Sequence, residues 1–359
     1  MISERGDEKP MMTLTHLKDE TRASCDIGVK ISGHVRITNG STVIEGKNKI
    51  TAYLLMTLCR YMTCHQLGAN HNPNYNFVGM GSYIALGTDT TTPTTNGTTG
   101  LAAPIGAPTK ANTQGTNGWT SGNTHINQWD AVWNPGTVSG TVGELGLFLS
   151  IRNTLGAVQE YPNPTGYHLA ARFAVADSEF TSFTIDATKP VVINWQMKVE
   201  TDGKLVAHGL TTLASFLFCT NMTTNHGGWS ASWIIRNSFL TLGTNTDTGN
   251  TASMTSLVSP IGLGYGTVPN SQAISMDSPS EGSYRVTWTS TWNAGTVSGT
   301  VGEIGFRGYG CTTLITGTMS AAQYAFLWRL CHADEHFQSF AIDTAKALTV
   351  SVNMVFTWS

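Results

Sequence analysis

Glu144 and Glu303 are the residues whose setting first suggests chemistry. Each sits in a nearly identical stretch, WNPGTVSGTVGELG at Trp133–Gly146 and WNAGTVSGTVGEIG at Trp292–Gly305. A carboxylate kept twice in one setting could be the acid or base of a duplicated active site, because a perturbed environment is all such a group needs to exchange a proton near neutrality. It could instead be a buried tether. Asp186 recurs as Asp343, so a paired-carboxylate arrangement of glycosidase type would have to exist twice. Two identical structural contacts are the simpler reading.

Other candidates are weaker. CHADEH places His332 and His336 four apart beside Asp334 and Glu335, a spacing that could chelate a metal on a helix. The parallel stretch AVADSEF has Val175 and Glu179 at the two histidine positions, so a strand-to-turn corner explains both copies better. His65 and His71 flank LGANHNPNYN near Cys64, a setting that fits ordinary polar loop contacts. The six cysteines, at 25, 59, 64, 219, 311 and 331, lack paired zinc spacing and read as buried free thiols. Neither a phosphate-cradling GxxxxGK[ST] loop nor a GxSxG nucleophile elbow occurs. No cofactor is expected.

The charges kept in both copies are few: Glu144 with Glu303, Arg172 with Arg329, Asp177 with Asp334, Asp186 with Asp343, and Lys189 with Lys346. A carboxylate on a strand flanked by Val and Leu is costly to bury unless it is paired or bonded to backbone N–H groups. The expectation is that Glu144 pairs with Arg172, and Glu303 with Arg329, across neighbouring strands.

The elements that must position these residues come from a repeat covering most of the chain. IALGTDT from Ile84 parallels LTLGTNT from Leu240, and PIG at Pro104 parallels PIG at Pro260. WDAVWNPGTVSGTVGELG parallels WTSTWNAGTVSGTVGEIG, and RFAVADSEFTSFTIDATK from Arg172 parallels RLCHADEHFQSFAIDTAK from Arg329. Period-two alternation in VTWTSTW and KALTVSVNMVFTW predicts half-buried antiparallel strands, with their tryptophans in the core. Hairpins are expected at Asn39–Gly40 and Asp202–Gly203, with type I′ turns. Helices are expected within 50–67 and 208–219, from apolar residues at i, i+3 and i+4. The Thr-, Gly- and Asn-rich stretches at 88–124 and 244–283 share apolar islands, Leu101, Ile105, Leu257 and Ile261, which argue for ordered extended segments.

Charged residues make up only 12% of the chain and the net charge is -3, so nucleic-acid binding by phosphate neutralisation has little support. The polar N-terminus lacks the apolar core of a signal peptide, and no run is long enough for a membrane span. The sequons at Asn39, Asn96 and Asn221 carry little weight without a secretion signal.

The predicted organisation is mainly β: an N-terminal arm (1–29) and two tandem antiparallel, jelly-roll-like β-sandwich repeats (30–201 and 202–359), each with one short helix. The boundary near Thr201–Lys204 falls within a hairpin, so the two repeats should abut rigidly.

The order of blocks is a GHVRI…NG…V…GKN hairpin, an apolar helix, IALGT with a Thr- and Pro-rich segment, a Trp- and Thr-rich strand, a GTVGE[LI]G strand, AR-F, and a closing alternating strand that ends in aromatic residues. This order resembles a module of structural proteins of tailed bacteriophages, of tail, baseplate or fibre type. The resemblance implies a non-catalytic virion component, assembled in the host cytoplasm, whose partners are further copies of itself, in threefold arrangement for instance, and other virion proteins. Similar sandwiches serve as capsid decoration proteins. A carbohydrate-binding reading, with a host surface glycan as partner, would place Trp119, Trp229 and Trp233 in the open to stack on sugar rings.

Overall fold

The computed structural model of the chain describes residues 13–51, 78–95, 98–105, 113–152, 167–202, 213, 239–251, 254, 256–262, 267–277, 283–309 and 324–358. These residues are mainly β. Up to the end of the first repeat the strands are β1 (Thr13–His16), β2 (Glu20–Asn39), β3 (Thr42–Lys47), β4 (Lys49–Ile50), β5 (Val78–Gly87), β6 (Thr113–Ser121), β7 (Thr124–Trp133), β8 (Thr141–Val142), β9 (Glu144–Arg152), β10 (Tyr167–Ala174), β11 (Phe183–Thr184) and β12 (Val191–Thr201). The second repeat supplies β13 (Phe239–Gly243), β14 (Ser271–Asp277), β15 (Ser283–Trp292), β16 (Thr300–Val301), β17 (Glu303–Tyr309), β18 (Tyr324–Cys331), β19 (Phe340–Ala341) and β20 (Ala347–Trp358).

One nine-stranded sheet runs β14-β15-β20-β2-β12-β7-β6, with β1 and β3 also paired to β2. The 20-residue β2 is its axis. Along one edge of β2, β20 pairs in parallel from Glu20 to Ile31 and β3 continues from His34 to Asn39. Along the other, β1 covers Thr21 to Ser24 and β12 runs antiparallel from Val29 to Asn39. The first repeat therefore hangs on the C-terminal half of β2 and the second on its N-terminal half.

This arrangement corrects the expected arm at 1–29. Residues 20–29 lie inside the sheet, with Thr21, Ala23, Cys25, Ile27 and Val29 buried and Arg22 and Gly28 exposed. The alternation that makes them a strand starts at Thr21, beneath a polar composition that masks it. The position between 29 and 30 is not a boundary, and the sheet continues through β2 from the strands of one repeat to those of the other.

Smaller sheets repeat in each half. β4-β10-β9-β5 and the β11-β8 pair belong to the first, and β13-β17-β18 and the β16-β19 pair to the second. Their buried residues, including Leu145, Leu147, Phe173, Leu240, Ile304 and Phe306, join one core with Trp129, Trp133, Trp195, Trp288 and Trp292 of the large sheet. The tryptophans on alternating strand positions are core residues, as their period predicts. On the opposite face of the large sheet, side chains bond across strands: Thr287 to Asn353 (2.8 Å), Thr289 with Ser351 (3.0 Å) and Thr291 with Thr349 (2.9 Å).

At the first hairpin Asn39 pairs with Thr42, so the loop is Gly40–Ser41, and only Gly40 has positive φ, at 62°. That is the pattern of a type II′ turn rather than the expected type I′. Asn39 is buried instead. Its side-chain NH2 donates to the carbonyls of Asp186, Lys189 and Pro190, and its Oδ1 accepts the Asp186 N–H at 2.7 Å. A sequon asparagine used in this way is closed to glycosylation in the folded chain.

No helix of the expected length is seen among the described residues: Lys49–Ile50 is a short strand, and the rest of 50–67 and 208–219 lies outside them apart from Thr51 and Leu213, which is buried and in helical conformation. The Asp202–Gly203 turn also lies outside them beyond Asp202.

Candidate functional site

β9 begins at Glu144 and pairs with β10, which carries Arg172, and with β5, which ends at Gly87 opposite Glu144. In the second repeat β17 begins at Glu303, β18 carries Arg329, and β13 ends at Gly243 opposite Glu303. The structure brings the four predicted residues together in two pairs. Arg172 Nε and Nη2 donate to Glu144 Oε2 at 2.9 and 2.6 Å, and Arg329 Nε donates to Glu303 Oε2 at 2.6 Å. All four side chains are completely buried.

Each carboxylate is also bonded by a loop crossing above it. Glu144 Oε1 accepts the Ala103 N–H at 2.7 Å and Oε2 the Ala102 N–H at 3.2 Å. Glu303 Oε1 accepts the Ser259 N–H at 2.7 Å and Oε2 the Val258 N–H at 3.1 Å. The guanidinium holds the loop's other arm: Arg172 Nη1 donates to the Thr92 carbonyl at 2.5 Å, and Arg329 Nη1 to the Thr248 carbonyl at 2.9 Å. One difference stands out. Arg172 Nη2 reaches Asp89 Oδ2 at 3.4 Å, whereas Arg329 Nη2 reaches the neutral Asn245 Oδ1 at 3.3 Å.

The remaining repeated motifs serve the same station. LGT places a glycine under the carboxylate, PIG bridges back to that glycine (Gly87 with Pro104, Gly243 with Pro260), and the glycine of VGE donates its N–H to the same residue's carbonyl at 2.9 Å in both copies. A Cβ on Gly87 would lie 2.5 Å from Glu144 Oε1 and 2.9 Å from the Ala103 carbonyl oxygen, so only glycine leaves room for the carboxylate to turn under the loop. Gly87→Ala is accordingly expected to cost about 1–3 kcal/mol, the range for overpacking a filled site, read as a lower urea midpoint with unchanged slope.

Such a station holds charge in place: both oxygens of each carboxylate accept N–H donors, and all four side chains are buried. Where the Thr-rich segments are described, buried ion pairs bind their backbones at Thr92, Ala102 and Ala103 in the first repeat and at Thr248, Val258 and Ser259 in the second. Leu101, Ile105, Leu257 and Ile261 pack beneath them.

The strand-to-turn corner expected in both copies is seen, with a role for its side chains that the sequence did not show. Beyond β10 and β18 each chain turns through a 3-10 segment, Val175–Asp177 and His332–Asp334, and reaches left-handed φ at Ser178 (61°) and Glu335 (57°). The next residue turns back onto the strand end: Glu179 Oε2 accepts the Ala174 N–H at 2.8 Å, and His336 Nδ1 accepts the Cys331 N–H at 3.1 Å. Burial, with the nearby Asp177 charge adding to it, pushes the Glu179 carboxyl up from its ordinary 4.5 to about 8 against the bond from Ala174.

Because the folded chain holds this proton more tightly than the unfolded chain does, the stability it adds is complete below about pH 4.5 and is lost as pH rises toward about 8. Glu179→Gln keeps the acceptor without the charge. It is expected to stabilise the chain at pH 8 by about 1–2 kcal/mol, after allowance for solvent screening of a half-buried group, and to flatten stability between pH 5 and 8. Thermal unfolding at a series of pH values reads both effects.

Trp119 is exposed (43%) on the edge strand β6. Trp229 and Trp233 lie outside the described residues, as do His65, His71 and four of the cysteines. The two described cysteines, Cys25 and Cys331, are buried and form no disulfide with each other. His332 Nδ1 accepts the Ser339 N–H at 3.3 Å. Among the described residues no helix is long and apolar enough to cross a membrane. Comparison with protein-family models, with curated proteins and with solved structures finds no match to this chain.

Proposed function

We propose that this chain is a non-enzymatic structural protein of a tailed-phage virion, working through its surfaces as a tail, baseplate or fibre-associated component. In this reading each repeat is a jelly-roll-like β-sandwich, half of the large sheet against its own smaller sheet, and the two are fused through β2. The observation that carries it is the use of the most strongly repeated residues. LGT, PIG, VGE and the arginines are all spent on one buried tether per repeat, which leaves outer surfaces rather than a pocket as the working parts. The resemblance of the order of blocks to phage structural modules supplies the class, and copies of the chain and other virion proteins are the partners it implies.

A capsid decoration role rests on the same surfaces. Electron microscopy of particles labelled with an antibody against this chain separates the two: label on the tail supports the reading, label on the head moves it to decoration, and unlabelled particles overturn it. Light scattering on the purified chain measures self-assembly. One observation favours a host-glycan role as the second reading, the open indole of Trp119, since exposed aromatic faces stack on sugar rings. Trp119→Ala should abolish glycan-array binding if that reading holds.

A further inference from the structure

The two repeats build the same corner after β10 and β18 but furnish it differently. In the first, Asp177 is paired with the Lys49 ammonium at 2.8 Å, and Ala174 and Glu179 stand beside it. In the second, Cys331 takes the place of Ala174, Asp334 that of Asp177 and His336 that of Glu179. In sequence, ITAYLLMTLC from Ile50 aligns with LTTLASFLFC from Leu210, which puts Gly209 where the first repeat has Lys49. Around the same aspartate the second corner carries a thiol and an imidazole where the first has Ala174 and Glu179.

The three donors converge. Cys331 Sγ lies 3.0 Å from Asp334 Oδ2 and 3.9 Å from His336 Nδ1, and all three ligand atoms fall within 4.8 Å of one another. Ligands of a tetrahedral zinc, at bond lengths of about 2.0–2.3 Å, are separated by roughly 3–4 Å, so small side-chain shifts suffice. Asp334 is already supported, its Oδ2 accepting the Asn250 N–H at 2.7 Å, and His336 Nδ1 lies at the group with its one lone pair accepting the Cys331 N–H at 3.1 Å, a bond that metal binding exchanges for the coordinate bond. His332, the histidine whose spacing first suggested chelation, is not part of it.

We propose that Cys331, Asp334 and His336 form a binding site for a divalent cation of zinc type, which in the second repeat occupies the role that the Lys49 ammonium plays in the first. Thiolate, carboxylate and neutral imidazole match zinc in softness and charge, and half-buried Asp334 leaves a fourth position for water. Binding releases the thiol proton, which now rests on a bond to Asp334, to solvent.

The test uses the full chain, reduced and metal-free, titrated with cobalt(II) as the probe. The expected result is a saturable thiolate-to-cobalt charge-transfer absorption complete at about one equivalent, bleached by zinc, with a raised unfolding midpoint when zinc is added. The double variant Cys331→Ala, His336→Glu installs the first repeat's own residues and keeps an acceptor for the strand-end N–H. It should unfold like the metal-free parent and lose cobalt affinity at least tenfold; Asp334→Asn should weaken binding as well. Absence of the band in the parent chain, or its survival in the double variant, overturns the site.

Discussion

Deleting residues 1–29 is expected to abolish cooperative folding rather than to trim a tail. The truncation removes Glu20–Val29, all but two residues of the stretch against which β20 pairs, and exposes the inner face around it. Ile27 and Val29, both essentially inaccessible, alone account for about 3–6 kcal/mol at 1.5–3 kcal/mol per buried aliphatic side chain. That approaches the 5–15 kcal/mol by which ordinary domains are stable. It would also leave one long edge of β20 unpaired, an edge rich in Val, Met and Phe and prone to aggregation. The truncated chain should be recovered as aggregate, or without a cooperative thermal transition. Deletion of residues 1–12 only, which leaves β1 and β2 whole, serves as the control.

Arg172→Met is the second large effect, expected to cost about 3–5 kcal/mol, because it strands Glu144 as a buried charge with only two backbone donors. Arg329→Met should cost a similar amount, since Glu303 has the same surroundings. Urea unfolding measures both. Losses well under 1 kcal/mol would mean that the glutamates reach water or another cation. The arginine variants should also release the Thr-rich loops, seen as faster amide exchange at Ala103 in one repeat and Ser259 in the other.

Much of this architecture was written in residue pattern. Alternation in VTWTSTW and KALTVSVNMVFTW marks half-buried strands because a one-residue slip would turn every tryptophan and valine outward. The Glu–Arg pairs were legible because two buried charges of opposite sign recurred together with no other use for either. The path of β2 was not. Its first half pairs in parallel with the last strand of the chain, a contact of maximal sequence separation that leaves no local signal, and its Ser, Asp and Lys residues are simply the outward positions of an alternation begun ten residues early. The strand-to-turn corner was legible from its two copies, but the shared role of Glu179 and His336 was hidden because a carboxylate and an imidazole, unlike in type, do one job, accepting the strand-end N–H.

A double-mutant cycle on Glu144 and Arg172, repeated on Glu303 and Arg329, tests the central claim most directly, with Gln and Met as the replacements and urea unfolding as the readout. Tethers buried in the same way predict a coupling of about 2 kcal/mol or more in each repeat, of the same sign and similar size, with the double variants less destabilised than the sum of their singles. Additive losses in either repeat, or coupling confined to one of them, would contradict the account of Glu144 and Glu303 as one structural station built twice.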